Sequence, residues 1–380
     1  MSFLFQNYKR LPIEFIKAEG NYLIDCKGDS YLDFSSGIGV TNLGFHPQVE
    51  SALLKQAKAI WHMPNLYSNS LQEKVAQALI GDSDYLAFFC NSGTEANEAA
   101  IKLARKATGK QGIISFMNSF HGRSYGSMSA TGQDKIKEGF GEGVPHFSYA
   151  NYNDLDSVKK LVNDDTAAVM LELIQGESGI RPAHPEFITA LSNFCKEHNL
   201  LLIVDEVQTG IGRTGKLYAF EHYDIVPDIV TLAKGLANGV PVGAMLGKRN
   251  LSSAFSYGSH GSTFGGNKLA MVAALETIKI IKHPEFIKNI EEKSHYLMKE
   301  LKTQLKDISM ISDIRGIGFM IGIETSQNLS NIVNSAREKG LVILTAGSDV
   351  IRLLPPLTLI KEDIDKGVAI LKEVFEVVGE

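Results

Sequence analysis

Two ionisable residues stand at the ends of apolar runs near the middle of the chain. Leu200 to Val204 is uninterruptedly apolar and stops at Asp205 and Glu206; Ile229 to Leu232 is followed by Ala233, Lys234 and Gly235. A short apolar run that ends at charged or turn residues reads as a buried strand of a parallel sheet. In such sheets ligands bind in the crevice outside the carboxyl ends of the strands. An acid and a lysine delivered there fit pyridoxal-phosphate chemistry, in which the lysine carries the cofactor as a Schiff base and the acid pairs with the pyridine nitrogen. Taken alone, the two residues fit equally a helix-capping acid and a solvated lysine.

Further strand ends carry groups of the same kind. The run Tyr85 to Cys90 opens into Asn91-Ser92-Gly93-Thr94-Glu95, where Ser92 and Glu95 have capping-box spacing. Ala96, Ala99, Ala100, Leu103, Ala104 and Ala107 then form an apolar helical face. A strand–Ser-Gly-Thr–helix turn exposes unpaired amides at the positive end of a helix dipole, a good anion site. Gly112 to Phe116 leads to Phe120-His121-Gly122-Arg123, where an aromatic ring can stack on a planar ligand and a guanidinium can clamp a carboxylate. Ala167 to Leu171 ends in a loop that holds Glu172 and Glu177.

These strands need elements to position them. Strands alternating with helical periodicity from about residue 85 to 232 predict a doubly wound, mainly parallel sheet. Residues 12–34 read as a small antiparallel meander, and the Gly-rich stretch 35–47 as a loop. Helices are expected over 48–58, 71–80 and 186–198, and residues 125–145 as loop with at most short helices. After residue 262 the texture changes. Helices over 267–282, 285–305 and 361–377 alternate with strands over 311–324 and 350–354, which predicts a smaller α+β unit. The expected division is 1–45, joining the small domain; 46–261, the large domain; and 262–380, the small domain.

Composition narrows the function. A chain of 380 residues with 44% hydrophobic content and a formal charge of −5 carries no basic field for nucleic acid. Cys26, Cys90 and Cys195 are odd in number and far apart, which fits a reducing compartment. No apolar stretch has the length of a membrane span, so a soluble, cytoplasmic protein is expected. Gly210 to Gly215 satisfies G-x-G-x-x-G, but no helix opens directly after the strand and position 235 is not acidic, which argues against a dinucleotide site. The same segment fails as a P-loop because Leu217 replaces the hydroxyl residue. No metal-ligand cluster is present among the ten histidines and the cysteines.

Taken together, six stretches resemble the class III pyridoxal-phosphate aminotransferases, in the acetylornithine/ornithine branch. They are residues 91–98, 120–123, 175–177, 205–210, 233–235 and 261–267, in family order, and the similarity runs from about Asn21 to the C-terminus. The resemblance implies the fold type I architecture, pyridoxal 5'-phosphate as cofactor, and a homodimer with active sites at the subunit interface. It implies ping-pong transfer of an ω-amino group, with N-acetylornithine and 2-oxoglutarate, in arginine biosynthesis, as the expected pair. Ornithine, acyl-lysine or succinyl-diaminopimelate are other possible donors, and a decarboxylase, a racemase or a non-catalytic cofactor binder are the other-class alternatives.

The same resemblance implies residue roles. Lys234 and Asp205 are the catalytic pair. Gly93 and Thr94 hold the cofactor phosphate, joined by Thr263 of the partner subunit. Phe120 and Val207 cover the two ring faces, and Gln208 lies near the phenolic oxygen. Arg123 takes the carboxylate of the ω-amino donor, and Arg352 that of glutamate or 2-oxoglutarate. Glu177 covers Arg352 when the donor is bound, and Ser262 lies near the substrate. Leu173 and Ser178 depart from the family pattern beside this proposed switch.

Overall fold

The computed structural model describes residues 3–379. Its centre is a seven-stranded sheet in the order Tyr85–Cys90, Gly243–Lys248, Ile229–Leu232, Leu201–Asp205, Thr166–Glu172, Gly112–Phe116 and Phe147–Ala150. Gly243–Lys248 runs antiparallel to both neighbours, and every other pairing is parallel. Thr166–Glu172 is buried along its whole length, as a strand covered on both faces must be. The fold is thus the large, mainly parallel α/β sheet expected from the alternating pattern.

Two strands of this sheet are absent from the expectations above. Gly243–Lys248 carries two glycines and a lysine among six residues, so it lacks an apolar run. Its first glycine is required by packing: a Cβ at Gly243 would lie 2.3 Å from the Ser92 carbonyl oxygen. Phe147–Ala150 is a short edge strand.

The helix Gly93–Thr108 packs its small-residue face, including Ala96, Ala99, Ala100 and Ala104, against the sheet, all fully buried. Ser92 caps it by accepting from Glu95 N at 3.3 Å. The Glu95 carboxylate reaches past the capping-box position and accepts from Asn91 N at 2.5 Å.

The N-terminal strands Phe15–Glu19, Tyr22–Asp25 and Ser30–Asp33 form the expected meander, and Leu341–Val342 joins its edge in parallel. A second four-stranded antiparallel sheet holds Ile311–Ile317, Met320–Thr325, Val350–Leu353 and Leu344–Ala346. Helices Pro284–Gln304, Leu329–Glu338 and Lys361–Gly379 accompany it; Leu329–Glu338 was not anticipated. Among the described residues, no helix is long and apolar enough to cross a membrane.

Two features bring the N-terminal segment to the strand ends. Ser36, Gly37, Ile38 and Gly39 all have positive φ (46°, 59°, 70° and 71°), a left-handed turn that side-chain-bearing residues rarely adopt. Asp33 holds its entrance: Oδ1 accepts from Ser35 N at 2.8 Å, Ser35 Oγ at 2.6 Å and Ser36 N at 3.0 Å. Beyond the turn, Asn42 donates to Ile211 O at 2.8 Å and accepts from Arg213 Nη2 at 2.6 Å. Arg213 is fully buried and donates to Phe319 O at 3.2 Å and to Pro355 O. The Gly210–Gly215 motif is therefore a junction of turns that ties three parts of the chain together.

Candidate active site

A cavity of about 410 Å³ opens at the carboxyl ends of the parallel strands, and Gly93, Thr94, Phe120, Arg123, Glu177, Asp205, Val207, Gln208 and Lys234 all line it. Three neighbouring strands set its floor. In register, Asp205 lies beside Glu172 on one side and Thr231 on the other. Adjacent strands in register present such residues on the same face.

Asp205 is 3% exposed, and three donors hold its carboxylate while one acceptor site on Oδ1 stays open. Oδ2 accepts from Asn97 Nδ2 and His121 Nδ1, each at 2.8 Å, and Oδ1 accepts from Val207 N at 3.0 Å. Burial disfavours a charged His121 ring, but the hydrogen bond and charge of Asp205, with Glu172 behind them, hold its pKa above the usual histidine value. The Glu172 pKa is raised as well: burial, and with it the Asp205 charge, disfavours the ionised carboxylate, against the charge of His121. Its Oε2 accepts from Phe120 N at 3.0 Å, which fixes the aromatic residue at the cavity wall.

Lys234 follows the Ile229–Leu232 strand directly and takes a left-handed φ of 43°. Its amine makes no hydrogen bond or ion pair with any described residue. Burial, with the Arg352 charge, holds its pKa below the usual lysine value, although Glu177 and Asp205 oppose this.

The anion end is built from the helix Gly93–Thr108. A Cβ at Gly93 would fall 2.7 Å from Val207 Cγ1, so glycine is what lets the Val207 side chain close against the helix start. The Thr94 hydroxyl pairs with Ser127 Oγ at 2.5 Å and accepts from Ser124 N at 3.1 Å. At the rim, the exposed Arg123 guanidinium lies 5.9 Å from the Phe120 ring centroid.

Arg352, on the Val350–Leu353 strand and 3% exposed, does not itself line the cavity; it is buried behind Glu177, which does. Its Nη1 donates to Glu177 Oε1 at 2.6 Å, to Gly176 O at 3.1 Å and, weakly, toward Gln208 Oε1 at 3.5 Å. The two unusual residues beside it fit this geometry. Leu173 is buried in an apolar cluster, and the Ser178 hydroxyl donates to Gln175 Oε1 at 3.2 Å.

Ser262 and Thr263 are not brought to this chain's own cavity. Ser262 Oγ accepts from Asn91 Nδ2 at 3.1 Å and from Gly265 N at 2.9 Å, and Thr263 is exposed. Asn97 and Glu172 are site residues that the expectations above leave without a role. Asn97 was legible as a polar residue on an otherwise apolar helix face, four residues after Gly93.

These features match pyridoxal phosphate: an unpaired lysine inside a cavity, a firmly held carboxylate with an acceptor site to spare on its floor, and open helix-start amides at a glycine packed against Val207. Fold and site together define a pyridoxal-phosphate-dependent enzyme of the fold type I architecture.

Known proteins narrow this further. Residues 4–375 match the family model described as aminotransferase class-III. The acetylornithine aminotransferase of Streptococcus mutans is 66% identical over 376 residues, 99% of each chain. That of Bacillus subtilis is 53% identical over 98% of this chain and 97% of its own. Among solved structures, the ornithine aminotransferase from Toxoplasma gondii superposes with a TM-score of 0.94 at 29% identity, over 99% of this chain and 93% of the other. The N-acetylornithine aminotransferase from Stenotrophomonas maltophilia gives 0.84 at 32% identity, over 97% of both. The chain belongs to the class-III aminotransferases and is a pyridoxal-phosphate-dependent aminotransferase.

Proposed function

We propose that this enzyme moves the ω-amino group of N-acetylornithine to 2-oxoglutarate. The observation that carries a two-substrate site is the Arg352–Glu177 pair at 2.6 Å. A buried guanidinium left unpaired is costly, so a carboxylate that covers it lets the same pocket serve a donor without a carboxylate there. When that carboxylate moves away, Arg352 is free to take the carboxylate of glutamate or 2-oxoglutarate. Val40, Val240, Pro241 and Val242 line the same cavity, and this apolar wall suits an acylated nitrogen better than a free ammonium. The full-length identity to enzymes named acetylornithine aminotransferase supports the same donor.

When bound, the cofactor supplies an electron sink for the substrate carbanion. The chain's own residues do the rest. Asp205, its carboxylate kept in place by three donors, would keep a proton on the ring nitrogen. Phe120 and Val207 would hold the ring between them, and the Gly93 and Thr94 amides would bind the phosphate. Lys234 Nζ, biased toward its neutral form, takes a proton from the substrate carbon and returns it on the other side of the transfer. Arg123, at the rim with no acidic partner among the described residues, receives the α-carboxylate of the donor.

We place the enzyme's working form as a homodimer. Trp61, Leu66, Tyr67 and Phe264 are each more than 60% exposed, a large apolar area for a free surface. Phe264 adjoins Thr263, which fits a threonine presented to the neighbouring subunit's phosphate site. The biosynthetic reaction fits a cytoplasmic location.

The test is a set of half-reactions followed by absorbance on the purified, cofactor-loaded protein. N-acetylornithine and glutamate should each convert the lysine-bound cofactor rapidly to its amine form, and ornithine slowly. Conversion by glutamate but not by N-acetylornithine would replace the donor and keep the reaction class.

A further inference from the structure

We infer that Thr231 and Asn97 form a positioning relay that fixes how Asp205 is presented to the cofactor. It rests on the role proposed above for Asp205. Thr231 Oγ1 donates to Asn97 Oδ1 at 2.7 Å, and Asn97 Nδ2 donates to His121 O at 2.7 Å and Asp205 Oδ2 at 2.8 Å. Thr231 and Asn97 are each no more than 1% exposed.

The direction of this chain follows from the chemistry of its ends. A side-chain amide has one accepting and one donating end. The His121 carbonyl and an ionised Asp205 only accept, so the Asn97 nitrogen must face them. A flipped amide would set its oxygen against both. Asn97 Oδ1 then needs a donor, and the Thr231 hydroxyl supplies it. Thr231 is also the register partner of Asp205 on the neighbouring strand, so both ends of the relay are anchored to the same two strands.

Without the hydroxyl, the amide would bury an unpaired oxygen and lose its fixed direction. Asp205 would then keep His121 on Oδ2 and Val207 N on Oδ1 but lose one of its three well-placed donors, and its carboxylate would be held less firmly. Thr231 does not line the cavity, and Asn97 lines it beside Asp205; both act on the cofactor through the direction they give to Asp205.

Four substitutions decide the matter, with pyridoxal-phosphate affinity of the full-length apoprotein read by equilibrium dialysis. Valine matches threonine in shape and lacks only the hydroxyl, while serine keeps the hydroxyl. Thr231→Val is expected to weaken binding about tenfold, the size of one buried partner left unpaired, and Thr231→Ser to stay within about twofold. In a cycle with Asn97→Leu, the double variant should bind no more weakly than Asn97→Leu alone, because the two residues act as one path. If Asn97→Leu does not fold, the valine–serine contrast is sufficient. Wild-type affinity in Thr231→Val, or equal losses in the valine and serine variants, would overturn the relay. Asp205→Asn separates the two levels. Weak binding there with normal binding in Thr231→Val removes the relay only, and normal binding in Asp205→Asn removes the Asp205 role beneath it.

Discussion

The Arg352 guanidinium donates to the Glu177 carboxylate at 2.6 Å across a contact that joins the Val350–Leu353 strand to the loop after Thr166–Glu172. Arg352 is buried and Glu177 faces the cavity, so the pair has one fixed and one exposed member. Arg352→Ala should therefore slow the glutamate half-reaction by about 100-fold, the worth of a lost charge-assisted contact, and the N-acetylornithine half-reaction much less. Stopped-flow absorbance measures both. Equal losses would remove the two-carboxylate model.

The same pair has a pH signature. Burial raises the Glu177 pKa, but the charge and hydrogen bond of Arg352 outweigh it and leave the folded value below the usual one. A carboxylate depressed on folding adds stability above its unfolded pKa, about 4.3, and that stability is lost as pH falls through the folded value. Glu177→Gln should be less stable than the wild type near neutrality, with the gap closing below about pH 4. Urea midpoints across that range check this; a constant gap would show that the Glu177 charge is not involved.

Lys234 has no partner among the described residues, so its substitution leaves little else broken. Lys234→Ala should retain the cofactor, lose the absorbance band of the lysine-bound form, and lose at least about 1,000-fold in turnover, in the range for a removed proton-transfer group. Full activity in this variant would refute the assignment.

Gly93 makes room for Val207, since a Cβ there would lie 2.7 Å from Val207 Cγ1. Gly93→Ala should lower cofactor affinity about tenfold by pushing the helix start off its amide cradle. Val207→Ala removes packing on the ring by itself, so it should cost less in the Gly93→Ala background than in the wild type; an equal cost in both would show that the clash is not the cause.

Phe264 is 62% exposed beside Thr263. Phe264→Asp should shift sedimentation toward the monomer and lower cofactor affinity together. A monomeric variant with unchanged affinity would show that the partner contributes nothing to the phosphate site.

Much of this site was legible because its chemistry lies at strand ends. A strand buried on both faces announces itself as an apolar run, and the residue that stops the run must lie at the rim where ligands bind. Asp205, Lys234, Gly93 and Phe120 all sit at such stops. The strand Gly243–Lys248 gave no such run, because its first glycine answers to the close approach of Ser92, a neighbour far away in sequence.

The sequence by itself determined which residues could reach the crevice and which chemistry they could share. Local hydrophobic periodicity decides where strands begin and end, and a residue's type decides whether it can bind or move a proton. Only the tertiary structure decided what each of these groups is paired with. Asn97 joins Asp205 to Thr231, 134 positions beyond it, and Glu177 meets Arg352 across 175 positions. Such pairings depend on strand order and register, which a linear pattern does not encode, and it is the pairing that brings a buried aspartate and an unpaired lysine into one candidate site.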